Sequence, residues 1–299
     1  MNIQNIALAL ALVPRFAFSQ SAAPVTPAAP LVVDANWLAQ HLKDRDLVLL
    51  HSGPQKDYDS GHIPGARHIQ MSDVIRPMAH TDESEIMVEL PDVAQLRSKL
   101  ATFGISDDSR IVIYFSSDQV VSATTRIVFT LDYLGLGDHT SLLNGGLPGW
   151  VAAGKPVTTE APTFAPGKLT ARPVKNMVVD ADLVKTIGQH QGYKLVDARA
   201  ATFFNGTEPT YKKNGHIPGA VNIPFTNLVD DKLNIDRDHV AEQFRKAGIK
   251  PGETVVAYCH IGMQATVVML GARLLGNPVL LYDGAFEDWA KNDRGPVEK

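Results

Sequence analysis

Gly61-His62-Ile63-Pro64-Gly65-Ala66 (GHIPGA) returns unchanged as Gly215-His216-Ile217-Pro218-Gly219-Ala220, 154 positions later in a chain of 299 residues. Other segments repeat in the same order. Phe103-Gly104-Ile105 and Arg110–Tyr114 match Ala247-Gly248-Ile249 and Thr254–Tyr258 at an offset of 144, and Leu142–Trp150 matches Leu281–Trp289 at an offset of 139. Ordered matches with small drifts in spacing indicate a duplicated domain. Two copies are too few for a solenoid, which needs about three stacked units.

Each copy alternates short apolar runs with longer stretches of helical periodicity. Leu47–Leu50, Ile111–Phe115, Leu195–Val196, Val255–Tyr258 and Val279–Tyr282 read as buried strands, and Val93–Phe103, Ala123–Leu134, Val240–Ala247 and Ala265–Leu275 as helices. Such alternation predicts an α/β fold in each copy, a doubly wound parallel sheet flanked by helices. The expected boundaries are a leader over 1–30, a first domain over 31–157, a linker over 158–175 and a second domain over 176–299. Pro and Gly in each GHIPGA segment suit a turn, and the histidine beside them reads as a hydrogen-bonded spacer rather than a base.

Cys259 is the only cysteine. It follows the apolar run VVAY (255–258), and five residues separate it from a predicted helix. Phe115 is its counterpart in the first copy, followed by Ser116-Ser117-Asp118-Gln119 where the second copy has His260-Ile261-Gly262-Met263. A thiol and a phenyl are odd equivalents for one core position, whereas an active and a degenerate copy explain the difference. A residue at the carboxyl end of a parallel strand sits where such sheets bind ligands. Loop N–H groups and the positive end of the next helix converge there and favour a thiolate. Lowering an ordinary thiol pKa by about two units takes about 2.7 kcal/mol. A helix dipole supplies about 0.3–1 kcal/mol, so several N–H groups are expected to supply the rest.

The paired GHIPGA segments, the Tyr258-Cys259 loop before a helix, and Asp283-Gly284 separated by four residues from Trp289 resemble the tandem-domain rhodaneses. The resemblance runs from about Leu31 to Val297. It implies two rhodanese-like domains, the first inactive, and a sulfurtransferase that carries sulfur as a persulfide on Cys259 without metal or organic cofactor. It also implies donor contacts from Arg199, His260, Ile261, Gly262, Met263 and Gln264, with Asp197, His216 and Asp283 in support. The Asp197–Arg199 pair reads equally well as a structural salt bridge. Two features depart from the family. His260-Ile261 stands where thiosulfate-specific members carry Arg-Lys and mercaptopyruvate-specific ones carry Gly-Ser. Phe203 stands where a second arginine is expected, with Lys212 or Lys213 as possible substitutes. Lacking the serine, the sequence leans towards thiosulfate as donor and cyanide or a thiol as acceptor, with 3-mercaptopyruvate or a non-turnover persulfide carrier as alternatives.

Other classes fit less well. The chain is 44% hydrophobic with a net charge of −4 and scattered basic residues, which argues against nucleic acid and anionic membranes as partners. Phosphate-ester cleavage by such a loop uses Cys-x5-Arg, and the sixth residue after Cys259 is Ala265. No CxxC or HExxH spacing suggests a metal, and His51, His62 and His68 are expected to be kept apart by a turn and a strand. Ile6–Val13 (IALALALV), followed by small residues near Ala17–Ser19, resembles an export signal and is too short to span a bilayer. It predicts a periplasmic or secreted protein.

Overall fold

The computed structural model describes residues 30–77, 85–117, 121–170, 172–187 and 190–299. The expected export segment and the Asp118-Gln119 pair lie outside these. The first unit runs β1 (Val32–Val33), α1 (Ala35–His41), β2 (Leu47–Ser52), α2 (Gln55–Ser60), β3 (Arg67–Ile69), α3 (Val93–Thr102), β4 (Arg110–Phe115), α4 (Val121–Leu131), β5 (Thr140–Leu143) and α5 (Gly146–Ala152). The second runs β6 (Val178–Val179), α6 (Ala181–Thr186), β7 (Tyr193–Asp197), α7 (Ala201–Phe204), β8 (Val221–Asn222), α8 (Arg237–Lys246), β9 (Thr254–Tyr258), α9 (Ala265–Leu275), β10 (Val279–Tyr282) and α10 (Ala285–Lys291).

Both units form a five-stranded, wholly parallel sheet with the same winding, β1-β5-β4-β2-β3 and β6-β10-β9-β7-β8. Every apolar run read as a strand lies within a strand. The edge strands β1, β3, β6 and β8 have only two or three residues, too few to show a period. Local signals repeat with the fold. Asp34 and Asp180 cap α1 and α6, and Asp92 and Asp236 cap α3 and α8, each side chain accepting a first-turn N–H. A cap of this kind contributes about 1 kcal/mol.

The GHIPGA segments are corners stitched to the central strand. Ile63 N donates to the Tyr114 hydroxyl at 3.0 Å and Ile217 N to the Tyr258 hydroxyl at 3.1 Å. His62 stacks on Tyr58 at 3.8 Å and His216 on Phe204 at 3.7 Å, with their Nδ1 atoms bonded to the Tyr58 and Phe204 carbonyl oxygens. Each histidine also forms a backbone bridge to the chain that closes its domain, His62 with Thr158 and His216 with Glu298. One expectation fails. His51 and His68, on neighbouring strands in register, lie 6.0 Å apart in a cluster with Tyr58 and Tyr114. Parallel pairing of β2 with β3 brings them side by side. No cluster suited to a metal ion occurs among the described residues, and none of their helices is long and apolar enough to cross a membrane.

The two units share one continuous core. It passes from the first sheet through α4 and α9 into the second sheet and includes Cys259. α4 carries buried polar residues into this boundary, where Thr125 Oγ1 lies 2.8 Å from Thr266 Oγ1 on α9. The helix that follows the Cys259 loop therefore packs against the other unit.

Candidate active site

Cys259 follows β9 directly and is fully buried. Four carbonyl groups of the loop 259–264 are taken up by partners other than the sulfur. Cys259 O accepts from Phe286 N at 2.9 Å, His260 O from Glu287 N at 3.0 Å, and Gly262 O from Arg126 Nη1 at 3.0 Å. Met263 O accepts both the amide and the hydroxyl of Thr266. With these carbonyls engaged elsewhere, the N–H groups of Ala265, Ile261, Gly262 and Gln264 face the sulfur. The left-handed backbone of Gly262 (φ 80°) makes this turn possible, and a Cβ there would lie 2.9 Å from the Asp283 carbonyl oxygen.

The electrostatics correct the expected low pKa. Burial pushes the Cys259 thiol up, and the four amides pull it down without cancelling that effect. Among the described residues, no free cation offsets the burial. Arg199 is buried and bonded to Asp197 through Nε and Nη2 and to Gly215 O at 2.7 Å. Burial works against its charge, but the Asp197 carboxylate outweighs that and raises the guanidinium pKa. The pair is therefore a structural ion pair and a neighbour of Cys259 at once. Its guanidinium also stacks 3.9 Å from the Phe286 ring.

His260 is no cation either. Burial, then the Arg199 charge, holds its imidazole down to about 4. Its ring meets Phe203 edge-on at 4.5 Å, and its Nδ1 and the Gln264 Oε1 are buried without hydrogen-bond partners. Phe203 thus packs on the loop where the family resemblance leads one to expect an arginine. Lys213 is no substitute, because its ammonium binds the Asp293 carboxylate and Gly295 O. Lys212 is exposed. His216 sits at the corner described above. Asp283 lies at the unit boundary, its carboxylate accepting from Arg126 Nη1 at 2.7 Å and from Leu90 N at 3.1 Å.

The degenerate copy fills the equivalent space. A Cβ on Gly146 (φ 54°) would meet the Phe115 ring at 2.4 Å. The corresponding Ala285 takes the same φ of 54° and keeps its methyl, in the copy where a thiol replaces the phenyl.

Arg126 and Glu287 were missed by sequence reasoning. Both are fully buried, and Glu287 Oε2 accepts from Met87 N at 2.8 Å. A usable signal existed for Arg126, a lone charge in the otherwise uncharged helix SATTRIVFTL (122–131).

Comparison with known proteins agrees with this geometry. The rhodanese-like domain model matches twice, over residues 34–153 and 180–292. A probable 3-mercaptopyruvate sulfurtransferase from Pseudomonas aeruginosa is 31% identical over 280 residues, covering 89% of this chain and 97% of that protein. A thiosulfate sulfurtransferase from Rattus norvegicus is 29% identical over 273 residues, covering 89% and 86%. The crystal structure of the 3-mercaptopyruvate sulfotransferase SseA from Escherichia coli superposes with a TM-score of 0.73 at 27% identity, covering 86% of this chain and 99% of that one. With the family domain found in both halves and a lone buried cysteine in the second, the chain belongs to the rhodanese-like sulfurtransferases.

Proposed function

We propose that the protein moves sulfane sulfur from thiosulfate to a thiophilic acceptor, cyanide or a thiol, through a persulfide on Cys259. The observation that carries this reading is the set of four loop N–H groups facing a single buried sulfur. The Cys259 thiolate attacks the outer sulfur of thiosulfate, the donor S–S bond breaks, and sulfite leaves with the electron pair. The acceptor then attacks the outer persulfide sulfur, and Cys259 departs as thiolate. Both steps balance without an external oxidant or reductant. Convergent N–H groups stabilise the anionic sulfur in each of them.

An inorganic donor needs only such N–H groups, whereas a carboxylate donor is best held by a guanidinium. Phe203 faces the loop here, and Arg199 is committed to Asp197. A second reading, 3-mercaptopyruvate as donor, is favoured by the names of relatives at 30–31% identity. Steady-state kinetics with both donors, together with mass spectrometry of Cys259, test the assignment. Thiosulfate is expected to give the higher kcat/KM and to add one sulfur atom to Cys259, and Cys259→Ser is expected to leave only background transfer in a folded chain. A higher kcat/KM with 3-mercaptopyruvate selects the second reading. One sulfur loaded without turnover identifies a carrier, and full activity in Cys259→Ser overturns persulfide transfer altogether.

A further inference from the structure

We infer that Arg126, contributed by the unit that lacks a nucleophile, is a positioning residue for the sulfur-bearing loop. The inference rests on Cys259 being the sulfur carrier. The Arg126 guanidinium crosses the boundary between the units and is fully buried. Nη1 donates to Gly262 O at 3.0 Å and to Asp283 Oδ1 at 2.7 Å, and Nη2 donates to Val88 O at 2.7 Å. One side chain thus ties the loop, the turn at Asp283 and the segment near Val88 together.

The consequence follows from the chemistry of Gly262. Glycine populates either sign of φ about equally, so the peptide that follows it can turn over at little cost. Facing outward, its carbonyl meets Arg126. Facing inward, the same oxygen would stand beside the Cys259 sulfur and repel a thiolate or a persulfide anion. Three other carbonyls of the loop are held by α10 and by Thr266, elements of the same unit. Gly262 O is held by a side chain from the opposite unit. The first copy therefore has a task in the reaction although Phe115 has replaced its own thiol.

A cross-boundary bond on the other side provides the control. Asn144 Oδ1 accepts from Ile235 N at 2.7 Å, a contact between units made next to the degenerate loop. Full-length Arg126→Met, Arg126→Lys and Asn144→Ala are compared with the parent by ultraviolet titration of the thiolate, subtracting Cys259→Ser, and by kinetics with thiosulfate. Cys259 is the only cysteine, so the difference spectrum reports it alone. Arg126→Met is expected to raise the apparent thiol pKa by about one unit, a tenfold loss of thiolate at neutral pH, and to lower turnover by about as much. Arg126→Lys keeps the charge but cannot reach all three acceptors, and a smaller shift of the same sign is expected. Asn144→Ala is expected to weaken folding and leave the thiol titration in place.

A folded Arg126→Met with the parental titration and turnover overturns the inference, as do equal shifts in all three variants. If Arg126→Met fails to fold, Arg126→Lys against Asn144→Ala decides by the same criterion. Should the parent not turn over thiosulfate, the titration still tests Arg126 separately from the donor assignment.

Discussion

Arg199 closes on Asp197 with Nε 2.9 and 3.0 Å from the two carboxylate oxygens and Nη2 2.5 Å from Oδ2, all of it out of contact with solvent. Breaking a buried pair of this kind leaves an uncompensated charge and costs about 3–5 kcal/mol. Asp197→Asn should lower the free energy of unfolding by that order in denaturant titrations. The freed guanidinium should also lower the Cys259 pKa, because its charge reaches the sulfur. An unchanged thiol titration in the folded variant would show that Arg199 does not act on Cys259.

Phe203 meets His260 edge-on at 4.5 Å, and neither carries charge near neutral pH. Phe203→Arg should introduce a cation beside the loop and reduce KM for 3-mercaptopyruvate by about tenfold, the worth of one charge-assisted hydrogen bond. The change for thiosulfate should be smaller. Equal effects on both donors would mean that position 203 does not discriminate carboxylates.

The Cys259 thiol lies above its ordinary range because burial exceeds the pull of the Ala265, Ile261, Gly262 and Gln264 amides. Single-turnover sulfur loading should therefore keep rising past about pH 8.5, by about tenfold per unit below the true pKa. The sign for stability is opposite. Folding favours the neutral thiol, so its contribution is complete below about pH 8.5 and fades as pH rises towards the folded value. A loading rate that levels off below neutral pH would contradict the burial argument.

His51 is fully buried, and burial followed by the neighbouring His68 and His62 holds it down to about 4. Such a group supports the fold above its unfolded value of about 6.5 and loses that support as pH falls through 4. The loss amounts to about 3 kcal/mol. His260 has the same sign. Urea titrations between about pH 7 and 4 should show falling stability, and His51→Leu should remove about half of the slope. A slope unaltered by the substitution would show that His51 does not titrate in this range.

What the amino-acid order alone determined is the duplication, the strand–helix alternation, and the contrast between Cys259 and Phe115. These are one-dimensional signals, because a repeat or an apolar run is visible without knowing what lies across from it. The GHIPGA corners were legible for the same reason. Short edge strands were not, since two residues carry no period. Charge at the site was decided only by tertiary structure. Asp197 consumes Arg199, Asp293 consumes Lys213, and burial reverses the direction expected for the thiol. Each of these depends on what folding brings together and how much water it removes. Arg126 shows this most clearly. It is 133 residues from Cys259 in sequence, yet it holds the loop that carries the sulfur, because α4 of one unit packs against α9 of the other.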